Sequence, residues 1–438
     1  MNQLSSETLR RESDRRRYNH ERYSSAGTSS RNGYRDEYYR DDRRDENRSS
    51  RYSENRKPAK RKKQFSLLSI GKGLDVPFCM LIVLLLAIGI TMMFSASYPI
   101  AYYEIGDSYY YLKRQLIFAL LGLAIMLAVS YFDYHYFHKF SALILGVSYF
   151  ALVVVLLIPS ETGIHRWIGI GDYGIQASEI SKFAIILFLA HWGSRYYDKM
   201  HTLKYGVVPG AAVFASTAFL LLLEPHYSCI VIVALLTVIM LFVSGIEIKW
   251  IAIAGAILAA VVLVLWATGL LTYAMDRMDG WGKALEYIDE TQWQQTWQTR
   301  NSLYAIGSGG LFGLGLGQSR QKYLYLPEPQ NDFVFAIVCE ELGLIGAVAI
   351  LLVFALLVWR GIVISLRAKD RFGKLLGIGL TSQIGLQVIL NILVITDWLP
   401  NTGISLPFFS YGGSSLLMLL FQMGIVLSIS RSANIEKM

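Results

Sequence analysis

The 438-residue chain has little cysteine. Its three cysteines, Cys79, Cys229 and Cys339, lie far apart, and no CxxC or Cys/His ligand spacing accompanies them. That excludes a disulfide framework or a zinc site as the organising principle and reads all three as buried free thiols. Charge is scarce too, at 17% of residues, and residues 1–73 hold nearly half of the 41 Lys and Arg. No long apolar run precedes Leu74, and the first one exceeds the h-region of a secretory signal peptide, so it is expected to stay as an anchor. The glycine-rich stretch AIGSGGLFGLGLGQS (305–319) lacks the Lys-Ser/Thr ending of a phosphate-binding loop, and no strand–loop–helix unit surrounds it. A nucleotide site is therefore excluded. The stretch reads as flexible backbone against a lipid headgroup or a neighbouring loop.

Long apolar runs, by contrast, fill the chain: 53% of residues are hydrophobic. From about residue 74 the runs are roughly 18–25 residues long, the length that crosses a bilayer as a helix. Backbone groups in lipid must satisfy one another, so these spans must be helices. Ten are expected, near 75–95, 113–131, 141–158, 179–194, 205–223, 227–244, 249–270, 332–359, 373–396 and 408–429. The fold class is thus an all-α polytopic membrane protein of about ten transmembrane helices. Loops carrying Arg195, Lys199, Lys204, Lys249, Arg360, Arg367, Lys369, Arg371 and Lys374 are assigned to the cytoplasm by the positive-inside rule, which puts both termini inside. One long extracytoplasmic loop, 271–331, then joins spans 7 and 8, and a shorter one covers 160–179. Residues 1–73 form a basic cytoplasmic leader too polar to bury a core and expected to be disordered. It ends in KPAKRKK (57–63), a topology signal or a site for anionic lipid or a partner. The membrane domain spans 74–431 and the short tail 432–438 returns to the cytoplasm.

The acids inside or beside apolar runs need a reason, because a carboxylate there costs several kcal/mol unless compensated. Asp332 precedes FVFAIV at an expected helix start. It reads as an N-cap, or as a general base whose ionised form the helix dipole favours. Glu340 and Glu341 follow roughly 12 Å further along the same helix and point elsewhere, about 80° and 180° around from Asp332. The next span carries Gln383, Gln387 and Asn391 at four-residue spacing, and one of the two glutamates is expected to hydrogen-bond that stripe as part of a structural polar core, with a proton or ion pathway as the rival reading. Glu179 and Lys182 are i,i+3 on one helix and are expected to pair. They either neutralise each other or line a polar cavity that steers an anionic headgroup. Arg166, beside Trp167, fits an interface where arginine holds phosphate. SYGGSS (410–415), with Ser410, Gly412 and Gly413, permits close helix packing or offers amides to phosphate.

These pieces, taken in order, resemble the SEDS family (shape, elongation, division and sporulation) of membrane peptidoglycan glycosyltransferases. The matching segments are KRQ (113–115), RW (166–167), Q-x-S-E-x-x-K (176–182), AIGSGGLFGLGLGQS, LPEPQNDFVFAIVCEELG (326–343) and LPNTGISLPFFSYGGSS (399–415). GLGQSRQKYLYLPEPQNDF resembles the FtsW/SpoVE branch more than the RodA branch. The resemblance implies polymerisation of lipid II, the undecaprenyl-pyrophosphate-linked disaccharide-pentapeptide, on the outer leaflet of the bacterial cytoplasmic membrane. Asp332 occupies the position of the family's essential carboxylate and would deprotonate the acceptor 4-hydroxyl. By the same resemblance Glu179 and Lys182 would line the central cavity, with Arg166 at the substrate. No organic cofactor is implied, a divalent cation is possible although no ligand cluster marks one, and no nucleic acid is expected.

A transpeptidase motif set is absent, so cross-linking is expected from a class B penicillin-binding protein, within division or elongation machinery. The alternatives are a lipid II flippase, served by the intramembrane charges, and a non-catalytic scaffold that recruits a transpeptidase. The chain departs from the usual family pattern at Ala177 (QASE for QPSE), EPHYSC (224–229, where QPDLGT is common), WQTRNS (297–302) and Asp397, where glycine is frequent. None of these touches Asp332; they put the outer-loop contacts with substrate and partner in question.

Overall fold

A computed structural model describes residues 73–158, 166–170, 173–269, 280–286, 293–294 and 296–433. The leader and the last five residues, 434–438, lie outside the described residues, as do parts of the two predicted outer loops.

Each of the ten predicted spans is a helix. In chain order they are α1 (Val76–Ile105), α2 (Tyr110–Tyr131), α3 (His135–Leu157), α4 (Ala177–Arg195), α5 (Val208–Leu223), α6 (Tyr227–Val243) and α7 (Ile248–Ala267). After a short α8 (Trp297–Gly309) come α9 (Val334–Leu366), α10 (Arg371–Ile395) and α11 (Gly413–Ser432). Among the described residues, seven helices are long and apolar enough to cross a membrane: α1, α2, α3, α5 with the turn before it, α9, α10 and α11. The helix α4 carries Glu179 and Lys182 and is mostly buried among its neighbours. Two features were not expected from sequence. A short antiparallel hairpin, β1 (Trp167–Ile170) and β2 (Tyr173–Gln176), pairs Trp167 with Gln176 and leads directly into α4. The long loop also contains α8, so it is not merely a connector.

Local chemistry sets the helix ends. Asp75 caps α1 by accepting from Phe78 N at 3.0 Å, and Arg360 of α9 grips the same carboxylate at 2.8 and 3.2 Å. Gly106, at φ 80°, closes α1 with its N–H on the Tyr102 carbonyl. That places the α1 end ten residues beyond the predicted one, because the apolar run gives way to Tyr-rich sequence that continues the helix. Asp370 caps α10 through Gly373 N at 3.0 Å. Burial pushes the Asp370 carboxyl up, but hydrogen bonds from His135, Tyr134 and Gly373 outweigh it and hold the group down at about 2.

One helix is broken. Within α9, Gly343 has φ 66° and ψ −173°, so residues 334–342 and 344–366 are two helical pieces. The break strands backbone groups inside the apolar interior, and the glycine-rich stretch satisfies them. Leu314 N and Gly315 N donate to the carbonyls of Glu340 and Glu341 at 3.0 Å each, while Leu344 N and Ile345 N donate to the carbonyls of Gly310 and Leu311 at 2.9 and 3.2 Å. The stretch is therefore not flexible backbone against a headgroup; it is a fitted insert. A side chain at Gly343 would put its Cβ 2.3 Å from Gly313 N. Gly343→Ala is expected to destabilise the protein by roughly 1–3 kcal/mol through this overlap and the left-handed φ, read as a lower unfolding midpoint in detergent.

Candidate functional site

The N-terminal ends of α4, α6, α9 and α11 surround a polar cavity of about 560 Å³. Asp332, Arg166, Glu179, Lys182, Gln387, Gly412 and Gly413 all line it. Seven of the twelve residues singled out from sequence thus meet at one place, though they come from five separate segments of chain.

Each is held by neighbours. Lys182 Nζ donates to Glu179 Oε1 at 2.7 Å, with the two side chains 4% and 10% exposed, so the expected i,i+3 pair forms in the cavity wall. Arg166 Nη2 donates to the Pro225 carbonyl at 2.7 Å, which ties the hairpin to the turn before α6. Gln115 of α2 bridges the last loop, donating from Nε2 to Ser410 O and accepting from Gly412 N, both at 3.3 Å. Ser410 Oγ accepts from Leu406 N at 2.7 Å, so it stabilises the loop, and its side chain lines a separate cavity of about 40 Å³ with Gln383, Gln387 and Glu179. At Gly413 an added Cβ would lie 2.3 Å from the Phe118 ring, which supports the close-packing reading of SYGGSS.

Asp332 sits at the rim where this cavity meets a second one of about 360 Å³. Arg166, Glu328 and Gly403 line both, and Gln298 and Asn401 line only the second, joined by an Asn401 Nδ2 to Gln298 Oε1 bond of 2.7 Å. The N-cap position of α9 falls on Phe333, one residue after Asp332. Asn391 fixes the Asp332 backbone: its Nδ2 donates to Asp332 O and to Ile404 O, each at 2.7 Å. Gly403, at φ 68°, has no side chain to screen the carboxylate; a Cβ there would be 3.4 Å from Asp332 Oδ2.

The expected bond from Glu340 or Glu341 to the Gln383–Gln387–Asn391 stripe does not exist. Both glutamates turn toward the glycine-rich insert, because the break at Gly343 brings its donors within reach. Glu340, 0% exposed, accepts from Arg320 N at 2.9 Å, Gln321 N at 3.4 Å and the Ser319 hydroxyl. Glu341 accepts from Ser95 Oγ at 2.7 Å, Gly317 N at 2.9 Å, Ser319 N at 3.3 Å and Lys322 Nζ at 2.8 Å. Lys322 is fully buried, and nothing in the sequence marked it, since its neighbours read as a polar loop.

Two further groups escaped the sequence reading, although EPHYSC was noted as unusual. Glu224 is fully buried with neither carboxylate oxygen hydrogen-bonded, and His226 lines the main cavity with Nδ1 unbonded. Burial raises the Glu224 carboxyl to about 8, with the Arg166 charge opposing it. Burial, aided by Arg166 and Lys182, lowers His226 to about 3. Among the described residues no group of three His, Cys, Asp or Glu is placed to hold a metal ion.

Fold and site together define a membrane-embedded helical bundle with a charged cavity at one end. Residues 76–435 match the FtsW/RodA/SpoVE family of cell cycle proteins, and the chain belongs to that family. It is 40% identical over 363 residues to stage V sporulation protein E of Bacillus subtilis (strain 168), covering 82% of this chain and 97% of that one. It is 37% identical to a probable peptidoglycan glycosyltransferase FtsW of Trichlorobacter lovleyi, covering 81% and 93%. Its fold matches a component of a peptidoglycan synthase complex in which polymerization and crosslinking are coordinated, with TM-score 0.65, 23% identity and coverage of 82% and 98%. It also matches the RodA rod shape determining protein of Thermus thermophilus, with TM-score 0.60, 24% identity and coverage of 83% and 99%. These relatives agree with the resemblance read from the motifs, including its lean toward FtsW and SpoVE.

The raised Glu224 value has a measurable consequence. The native state keeps this proton where the unfolded chain has lost it, so stability falls as pH rises from the ordinary carboxylate range to about 8. Glu224→Gln is expected to raise the unfolding midpoint at pH 8.5, by an increment that shrinks toward zero at about pH 4.

Proposed function

We propose that this protein is a peptidoglycan glycosyltransferase that polymerises lipid II on the outer face of the bacterial cytoplasmic membrane, with Asp332 as general base. The observation that supports this most is the convergence of Asp332, Arg166 and Lys182 on one cavity at the end of an apolar bundle. An acid at the rim has access to a hydroxyl, and the cations have access to an anion. In this reading Asp332 takes the proton of the acceptor 4-hydroxyl as its oxygen attacks C1 of the growing chain. The C1–O bond to undecaprenyl pyrophosphate breaks with inversion, and the diphosphate leaves carrying the electron pair. Arg166 and Lys182 stabilise that developing charge, with Glu179 holding Lys182 in place.

The donor is already activated by its diphosphate, so no organic cofactor enters. A divalent cation at the leaving diphosphate is compatible with this reading. In this reading the chain crosses ten times, with both termini in the cytoplasm and the cavity on the outer face, as the loop charges favour. Cross-linking falls to a class B penicillin-binding protein, in keeping with the synthase complex that shares this fold.

The test is purified protein reconstituted with lipid II, with and without such a partner. General-base loss predicts that Asp332→Asn forms glycan roughly 10²–10⁴-fold more slowly while its unfolding midpoint stays near native. Product length on a gel separates polymerisation from transport. Native protein that moves lipid II across the bilayer without lengthening it would establish a flippase instead. Full activity of Asp332→Asn would remove the base from Asp332.

A further inference from the structure

The intramembrane cluster around Glu340 and Glu341 is outside the cavity, and the mechanism above does not use it. We propose that Glu340, Glu341 and Lys322 are positioning residues for the reaction: their clasp on residues 317–322 sets the direction of the half-helix 334–342, and with it the carboxylate of Asp332. This inference rests on the glycosyltransferase reading.

In an unbroken helix, residues 344–366 would dictate where residues 334–342 point. Gly343 cancels that control. The short leading half must be aimed by something else, and it is held at both ends. At the Asp332 end, Asn391 grips the backbone carbonyl. At the other end, the two carboxylates take four backbone N–H bonds, from Gly317, Arg320, Ser319 and Gln321 at 2.9, 2.9, 3.3 and 3.4 Å. Lys322 supplies the counter-charge from the same loop, and α1 contributes Ser95 to Glu341 and the ring of Tyr98, 4.9 Å below the Lys322 ammonium.

Neutralisation alone does not need this arrangement. A lone Lys–Glu contact cancels charge, and apolar residues of equal volume often serve stability as well or better. Here each carboxylate instead reads several N–H groups of one loop, which fixes orientation as well as charge. The clasped loop then runs only nine residues, 323–331, before reaching Asp332. Asp332 is thus approached on both sides by chain fixed at the same cluster.

The test compares Glu340→Gln and the milder Ser319→Ala with Asp370→Asn, which lies at the opposite end of the bundle. All three are purified and assayed on lipid II at equal distance below their unfolding midpoints. Misplacing a reacting group by about 1 Å costs up to roughly a hundredfold. Glu340→Gln is therefore expected to lower kcat about ten- to a hundredfold with KM within about twofold, and Ser319→Ala severalfold in the same sense. Amide exchange across 317–332 should quicken in both, and Glu340→Asp should recover part of kcat. Asp370→Asn should lose thermal stability and keep kcat. If exchange quickens but kcat stays native, or if the loss lies in KM alone, the cluster is a packing element and the inference fails. Should Glu340→Gln not fold, Ser319→Ala alone decides. A native protein that makes no glycan sinks the functional reading and this inference together; active native protein with unaffected variants sinks the inference alone.

Discussion

Backbone polarity inside an apolar bundle is the constraint on which the rest of this structure depends. A helix crossing lipid satisfies its own N–H and C=O groups, and a broken one does not. The chain breaks α9 at Gly343 and repairs the damage with residues 310–315, whose carbonyls and amides complete the ladder on both sides. The repair explains several things that otherwise look unrelated. It requires glycine at Gly313, where a Cβ would be 2.2 Å from the Glu341 carbonyl. It draws Ser319 and Lys322 into the interior. It also gives Glu340 and Glu341 enough donors to remain buried without lipid-facing charge. The long loop is anchored where it enters the bundle, so α8 and residues 323–332 hang from a fixed point.

The cavity is governed by a second balance, between charge and burial. Its cations are each held: Lys182 by Glu179, and Arg166 by the Pro225 carbonyl. The two differ in kind: the Glu179 carboxylate offsets the Lys182 charge, whereas the Pro225 carbonyl is neutral and orients Arg166. Nearby Glu224 and His226 are shifted toward their uncharged forms, so the turn between α5 and α6 adds polarity without adding net charge.

Sequence reading succeeded where the physics is local. The apolar runs became helices, seven of them among the described residues long and apolar enough to cross a membrane, because span length and hydrophobicity are properties of contiguous residues. The Glu179–Lys182 pair followed from helical periodicity alone. It failed where partners are distant in the chain. The choice between the amide stripe on α10 and the loop at 317–322 depended on the break at Gly343, and a glycine inside an apolar run is common enough to pass unremarked. Lys322 lies nineteen residues from Glu341 and looked like loop chemistry. The β1–β2 hairpin is too short, at four residues a strand, to stand out in a segment rich in glycine. The grouping of Asp332 with Arg166, Glu179 and Lys182 came from resemblance to a family, and tertiary placement then brought them to one cavity.

The departures from the usual family pattern acquire physical meaning from their positions. Asp397 has φ 60°, a conformation glycine adopts freely and aspartate tolerates better than most residues, so the acid occupies a glycine-type turn without changing its course. Its carbonyl accepts from Trp281 Nε1 at 3.2 Å, a bond between the long loop and the end of α10. Ala177 begins α4 fully buried, directly after β2, and the β1–β2 register already fixes the chain direction that a proline there would impose. The EPHYSC turn supplies the carbonyl that holds Arg166 and the imidazole that lines the cavity. These three departures alter the surroundings of the cavity and leave Asp332, Arg166, Glu179 and Lys182 on its wall. At Asp332 the geometry is set from two sides: Asn391 Nδ2 holds the backbone carbonyl, and Gly403 leaves room beside the carboxylate.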